Sequence, residues 1–503
     1  FLLGKIFQEQ HYQHQAVKHY LKYIELSTTS QDKQKVLINL ARAYFDLGIC
    51  YKRLLYAALN LEMDYSAYLL ALVEHGSVTL SAQERADIQY FRGLYYKLLG
   101  KINAAIAAFQ QVQPNAENYP MAQIQLAECY YKTGKTQNAE RILNIQSQHK
   151  ERPEIYSALC LSKTEAGKLL MDEAAKLCEK KLGEYKQTQA GSTSLAQVKL
   201  HLGAIALKQK KFNSALTLFK EASAILFSDE QSKKSPFFDP SALQLIAHSY
   251  LMMAAELYSQ YITSAGKSQV YNAQYQLGRC YLYNGQFSDA LPIMQPITAA
   301  KEIDPMLMYN AEIHKGICLH SMGKKKEATR LWNELERQEP GLEMKSYLEY
   351  VYAVFEGDFQ KVQQLYEQQR ANVERAFAWN LGKAYHEWGV QQPRFNEQNM
   401  SHISTAIELM EKQRHHRSRY NIERNGPFLL IDLAMAYYSE RNFSETIELF
   451  KGIREEYPEI TPMIYTIQYI NMVWPSLSTI KNVIHPAWIN LEFGISYSRG
   501  ETL

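Results

Sequence analysis

The segment Ser264–Gln269, SAGKSQ, contains the Gly-Lys-Ser that ends a phosphate-binding loop. In such a loop backbone N–H groups cradle phosphate oxygens and the lysine neutralises them, but an earlier glycine and a preceding strand are needed. Here the earlier end is Tyr261-Ile262-Thr263 and no strand pattern precedes it, so the segment reads as a connection between helices. His11, His14 and His19 cluster near the start, and the first two could share a face. No cysteine or carboxylate stands at the spacing a metal would need, so they read as a solvated polar face. His386–Gly389, HEWG, opens like a helical metalloprotease pair, yet the second histidine would fall at position 390, which is Val390.

The six cysteines (Cys50, Cys129, Cys160, Cys178, Cys280 and Cys318) are scattered, with no CxxC pair. That usage fits a reducing, intracellular setting, and cytoplasmic localisation is the expectation. No convergent acid, base or nucleophile set is found, so the sequence predicts no enzyme, no catalytic residue, no metal and no cofactor. The densest basic run is RHHRSR, with Arg414, Arg417 and Arg419 as candidate contacts for an acidic partner or phosphate group, or else a solvated loop.

Bulk properties narrow the class. Charged residues make up 21% and hydrophobic residues 46%, which suits a folded chain and excludes wholesale disorder. A net charge of +3 gives no field for nucleic acid or anionic membrane, and no apolar run reaches the ~18 residues of a membrane helix. Glycine (23) and proline (15) are scarce, and long stretches without either favour helix. Tyrosine is abundant at 36, and its apolar ring with a polar tip suits helix seams and interfaces.

Two stretches reveal how these helices are organised. Phe91–Phe109 and Tyr275–Met294 carry the same landmarks: Gly93, Tyr96, Gly100, Ile102, Ala105 and Phe109 match Gly278, Tyr281, Gly285, Phe287, Ala290 and Met294. The first small landmark recurs at Gly4, Ala41, Gly93, Ala127, Gly203, Ala247, Gly278, Gly316, Tyr350, Gly382 and Ala434, and two of the steps, 93 to 127 and 316 to 350, equal 34 residues. On these positions the chain resembles the tetratricopeptide repeat family, whose unit is a helix–turn–helix of ~34 residues. The resemblance implies an all-α, right-handed superhelical solenoid of about eleven to twelve repeats, some degenerate. Small residues would let the two helices of a repeat approach, glycines such as Gly134, Gly285, Gly323 and Gly357 would cap the first helix, and the large residue late in the second (Phe109, Phe219, Trp332, Tyr366, Phe450) would fill the seam to the next repeat.

Departures from the period suggest boundaries. An N-terminal array over 1–150 carries a surplus, Met63–Gly76, that reads as an additional helix. A degenerate repeat around Cys160 and one further repeat occupy 151–227, followed by a loop at 228–241. The C-terminal array spans 242–459, lacks a turn near Leu251–Ala255, and holds a polar insertion, Gln391–His402, expected as an exposed loop. Residues 460–503 read as a partial repeat or cap. The array begins mid-helix at Gly4, which suggests truncation ahead of Phe1.

The family lines its concave face with particular positions of the first helix. Three residues before the small landmark these are Tyr90, Tyr275, Tyr347 and Trp379; one residue after it they are Arg42, Arg279 and Lys383. Aromatic planes interleaved with cations suit an extended or helical peptide bearing apolar and acidic side chains. The alternative is that these aromatics pack between neighbouring first helices. The lysine–asparagine clamp for chaperone tails is absent from every repeat. The function this implies is a non-catalytic protein–protein interaction scaffold, a structural or adaptor subunit of a hetero-complex. The second reading is a freely soluble peptide-recognition or regulatory factor of co-chaperone type. Neither involves nucleic acid or membrane insertion.

Overall fold

The structure, a computed structural model, describes residues 1–27, 29–74, 79–149, 153–165, 167, 169–188, 192–226, 239–264, 270–300, 303–338, 342–369, 378–390, 397–415, 422–454, 457 and 464. Among them are α-helices and no strand. Ten antiparallel hairpins account for most of these helices: α1 (Leu2–Glu9) with α2 (Gln13–Leu26), α4 (Ala82–Leu98) with α5 (Ile102–Gln110), α6 (Tyr119–Lys132) with α7 (Thr136–Gln146), α8 (Pro153–Glu165) with α9 (Met171–Thr188), α10 (Ser192–Lys208) with α11 (Phe212–Leu226), α13 (Val270–Tyr283) with α14 (Phe287–Thr298), α15 (Pro305–Ser321) with α16 (Lys325–Arg337), α17 (Leu342–Val351) with α18 (Phe359–Gln369), α19 (Ala378–Val390) with α20 (Glu397–His415), and α21 (Ile422–Glu440) with α22 (Phe443–Ile453). Two helices, α3 (Ser30–Glu74) and α12 (Ser241–Ser264), stand unpaired in this scheme. The described residues form two compact units: those from Phe1 to Arg53 and from Tyr250 to Arg454 make unit 1, and those from Leu54 to Ser249 with Tyr457 and Ile464 make unit 2.

One geometric rule builds the hairpins. In most hairpins the chain reverses through a left-handed residue seven residues after the landmark: Gly100, Gly134, Gly285, Gly323 and Gly357 follow Gly93, Ala127, Gly278, Gly316 and Tyr350. Only glycine enters this conformation without a Cβ penalty, which ends the first helix there. Gly167 does the same seven residues after Cys160, so the degenerate repeat keeps its turn although its landmarks are blurred. His11, Lys210 and Arg441 hold the same place after Gly4, Gly203 and Ala434, each with positive φ. Helix starts are set by local capping: Ser81 and Glu84 form a reciprocal capping box on α4, and Asp304 accepts from the Met306 N–H ahead of Pro305 on α15.

The small landmark has a partner in its own hairpin. The large residue late in the second helix packs on the glycine of its own hairpin, and Trp332 also fills the seam to the next repeat, against Tyr352 and Phe355. A Cβ on Gly4 would lie 2.5 Å from the Tyr20 ring, one on Gly203 2.5 Å from Phe219, and one on Gly278 2.9 Å from Met294. Gly93 meets Phe109 and Gly316 meets Trp332 in the same way. Each pair is separated by sixteen residues (4 to 20, 93 to 109, 203 to 219, 278 to 294, 316 to 332), because that spacing brings the late turn of the second helix back over the landmark. Gly382 instead meets Met410, and the twelve surplus residues (410 − 382 = 28, against 16) equal the length of Gln391–His402.

Two expectations are corrected. The surplus at Met63–Gly76 is not an additional helix, because α3 runs unbroken from Ser30 to Glu74, and Gly76 lies outside the described residues. The repeat of Ala41 has Gly48 in the turn position, yet the helix continues there and buries Leu54, Ala58, Leu59 and Leu61. Gly48 serves instead for close approach: a Cβ on it would lie 2.6 Å from Leu251 Cγ of α12. Helix α12 runs unbroken from Ser241 to Ser264, so the turn that the sequence lacks near Leu251–Ala255 is absent, with Ala254 standing where a left-handed cap would be strained. Of the expected loop at 391–402, residues 391–396 lie outside the described residues and Glu397–His402 are helical, with His402 stacked on Trp388 at 3.8 Å. The loop expected at 228–241 and the Gly-Lys-Ser segment lie outside the described residues, apart from 239–241 and Ser264; of 460–503 only Ile464 is described.

Candidate partner-binding surface

First helices pack on first helices: α4 on α6, α6 on α8 and α8 on α10 in unit 2; α13 on α15, α15 on α17, α17 on α19 and α19 on α21 in unit 1. Each unit therefore presents a face built from landmark-flanking side chains.

In unit 1 that face grips the first half of α3. Gln34 Nε2 donates to the Ser264 carbonyl at 3.0 Å, and Tyr44 stacks on Tyr250 at 6.0 Å. The Arg279 guanidinium lies 4.5 Å from the Phe45 ring centroid, and Lys52 donates to the Tyr283 carbonyl. Arg53 makes a 2.6 Å ion pair with Asp432 while lying over Trp379 (5.4 Å) and Phe428 (5.2 Å). The Trp379 indole N–H donates to the same Asp432 oxygen at 2.9 Å. Burial acts on the charged groups along α3: it pushes the Asp46 carboxyl up to about 6, against Arg42 and Arg279, and the Lys52 ammonium down to about 8.

The expected site residues separate into three sets. Tyr275 and Tyr347 pack between first helices, both against His314 of α15: the Tyr275 hydroxyl lies 3.2 Å from Nδ1 and the Tyr347 hydroxyl 3.3 Å from Nε2. His314 Nδ1 is 2.7 Å from the Asn310 carbonyl oxygen, which makes it the donor and leaves Nε2 to accept from Tyr347. Burial lowers His314 to about 3, so the ring is neutral. Arg279, Trp379 and Lys383 meet α3 or flank it, with the Lys383 ammonium 4.7 Å from Trp379 and 4.2 Å from Tyr350. Tyr90 is half-buried in unit 2 against Phe91 and Phe109, Arg42 is exposed on α3, and Arg414 pairs with Glu411 at 3.0 Å. Arg417 and Arg419 lie outside the described residues.

Unit 2 carries a polar version of the face. Lys97 of α4 donates to Gln125 Oε1 at 2.6 Å and forms an ion pair with Glu128 of α6. Ser162 of α8 donates to Glu128 at 3.2 Å, and Ser157 of α8 lies 2.8 Å from His201 Nδ1 of α10. Gln197 donates to Asp239 at 2.7 Å. Burial would raise the Glu128 carboxyl, but the charge and hydrogen bond of Lys97 hold it below the usual range. Burial pushes His201 down to about 4, against the pull of Glu128 and Asp239. The sequence reading missed this set, although Glu128 stands one residue after Ala127, the register position that gave Arg42, Arg279 and Lys383. Searching that position for either sign of charge finds it.

A shallow cavity of about 490 Å³ runs along α16, lined by Lys325, Lys326, Arg330, Arg337 and, on the acidic side, Glu334 and Glu356. Among the described residues, no group of three or more His, Cys, Asp or Glu is placed to hold a metal, and no helix is long and apolar enough to cross a membrane. The faces are thus built from paired side chains in packed helices.

The chain matches no protein-family model and no curated protein sequence. Solved structures with similar helical content include the APC/C hetero-tetramer Cut9–Hcn1, at 12% identity over 82% of this chain and 96% of that one, TM-score 0.27. The apo quorum sensor NprR from B. thuringiensis is similar at 15% identity over 67% of this chain and 98% of that one, TM-score 0.27. A signal-transduction ATPase with a tetratricopeptide repeat sensor from Pyrococcus horikoshii is similar at 14% identity over 74% of this chain and 55% of that one, TM-score 0.23.

Proposed function

We propose that this chain is a tetratricopeptide-type scaffold of the cytoplasm, a non-catalytic structural or adaptor subunit that holds segments of other proteins within a larger assembly. The observation that carries the reading is the hold of unit 1 on α3. A face of aromatic planes, cations and one carboxylate there grips a helix through Phe45, Lys52 and Arg53. A surface with that chemistry suits other helices of the same kind, apolar along one side with aromatic and basic anchors. Asp432 beside Trp379 favours a cation at that anchor. The mixed-charge face of unit 2, with Lys97 and Glu128, suits a segment carrying both signs. Six buried cysteines without disulfides accord with a reducing compartment.

The test is the native mass of the chain in extract, with chemical cross-linking to locate the contacts. A stable, stoichiometric complex well above 58.1 kDa, cross-linked through first-helix faces, is the expected result. A chain running at its own mass with no cross-linked protein overturns the subunit reading.

A further inference from the structure

The sixteen-residue pairing that closes the hairpins has one chemical exception. In the α8/α9 hairpin the landmark is Cys160, its left-handed turn is Gly167, and the turn is followed by two surplus residues before the register resumes at Ala174. The spacing shows the surplus: Gly93 to Ala105 is twelve residues, while Cys160 to Ala174 is fourteen. Adding the same two residues to the landmark-to-large-residue step (160 + 16 + 2) places Cys178 where Phe109, Phe219, Met294 and Trp332 stand in their own hairpins. In those hairpins this is the position that crosses directly over the landmark, within contact distance of where its Cβ would be. The crossing pair here is therefore cysteine on cysteine. Both are buried, at 5% and 0% exposure, in one apolar cluster with Ala174, Leu202 and Ile205. Their side chains are hydrogen-bonded to each other, which with burial raises the Cys178 thiol.

We propose that Cys160 and Cys178 are a paired oxidation site, a dithiol that a hydroperoxide converts into a disulfide across the α8/α9 crossing. Cys160 is the more exposed of the two and Cys178 is held protonated, so Cys160 reacts first. Its sulfur attacks the peroxide O–O bond, taking one oxygen as a sulfenic acid and releasing water from hydrogen peroxide. The Cys178 sulfur then displaces that oxygen as a second water, forming the S–S bond; two thiol protons and two electrons have passed to the peroxide. Burial makes the reaction slow, as it does for thiols away from solvent. The product ties α8, which carries Ser157 and Ser162 of the polar face, to its partner helix.

The test treats the whole folded protein with millimolar hydrogen peroxide, blocks remaining thiols with N-ethylmaleimide under denaturing conditions, and maps peptides by mass spectrometry. The expected product is a Cys160–Cys178 linked peptide 2 Da lighter than the dithiol, with Cys50, Cys129, Cys280 and Cys318 recovered mainly as adducts. It should form at least tenfold more in folded protein than in protein oxidised in concentrated urea, where the crossing is gone. Closing a loop of this length should raise the melting temperature on the order of 5 °C. Cys160→Ala, which restores the small landmark of other repeats, should fold and lose both the linked peptide and the shift. The proposal is overturned if both cysteines are recovered fully alkylated, if the link forms equally in urea, or if Cys160→Ala retains the shift.

Discussion

Lys210 is an exposed residue in the left-handed turn between α10 and α11, with φ of 59°, where six other turns use glycine. An L side chain there costs about 1–2 kcal/mol, part of which glycine recovers against its own chain entropy. Lys210→Gly is expected to stabilise unit 2 by about 0.5–1 kcal/mol, read as a higher denaturation midpoint with an unchanged slope. Gly316 gives the opposite sign. Its missing Cβ is the space that Trp332 fills, with the Trp332 indole N–H donating to the Ile313 carbonyl at 3.3 Å. Gly316→Ala should cost about 2–3 kcal/mol by overpacking, and Trp332→Phe in the same chain should recover part of it. His314 sets a pH dependence. It is neutral when folded, and protonation at its lowered pKa favours the unfolded state, so its contribution is complete above the ordinary histidine range and falls from about pH 6.5 towards 3. Melting temperatures of unit 1 should drop over that window, and His314→Gln should flatten the drop.

At the level of elements, α3 behaves as a core component of unit 1. Its residues Leu47, Cys50 and Tyr51 are essentially inaccessible, and its middle is tied by Arg53 to Asp432 and Trp379. Trp379→Ala removes an aromatic plane lying beneath two cations and leaves Asp432 short of a donor. The expected cost is about 3 kcal/mol of unit 1 stability, measured by chemical denaturation. Trp379→Phe keeps the plane and loses the hydrogen bond, for about 1 kcal/mol. Equal losses from both variants would mean that the indole N–H, not the ring, carries the contact. The same element explains a limit on sequence reading. Gly48 stands at the spacing where most of the hairpins turn, but the residues on both sides form helix well and the continued helix buries Leu54, Ala58, Leu59 and Leu61.

For the whole molecule, the repeat register decides what can be built and the packing decides what remains available. Two compact units, each with its own first-helix face, follow from one rule of helix pairing, yet their faces differ in chemistry. Unit 1 spends its aromatic and cationic side chains on α3 and on His314, while unit 2 gathers Lys97, Glu128, Ser162 and His201. Partner binding at unit 2 should depend on ionic strength more steeply than binding at apolar surfaces, because its charges are fixed by one another and steer association. Comparing association rates at low and high salt checks this.

By itself the sequence determined the all-helical repeat, the period, the left-handed turns at Gly134, Gly285, Gly323 and Gly357, and the degenerate hairpin around Cys160. These are local matters: at those positions a glycine seven residues past its landmark ends the first helix, whereas Gly48, at the same spacing, stays helical because of what packs on it. The landmark positions of Tyr275, Tyr347, Trp379, Arg279 and Lys383 were legible too, but not what they touch. Residues far apart in sequence, such as Arg53 and Asp432 or Ser157 and His201, meet only when helices stack. Whether Gly48 turns or crosses, and whether Tyr275 faces a partner or His314, depends on burial gained from other helices of the stack. That energy belongs to the tertiary structure, because no local stretch of chain contains both surfaces of the contact.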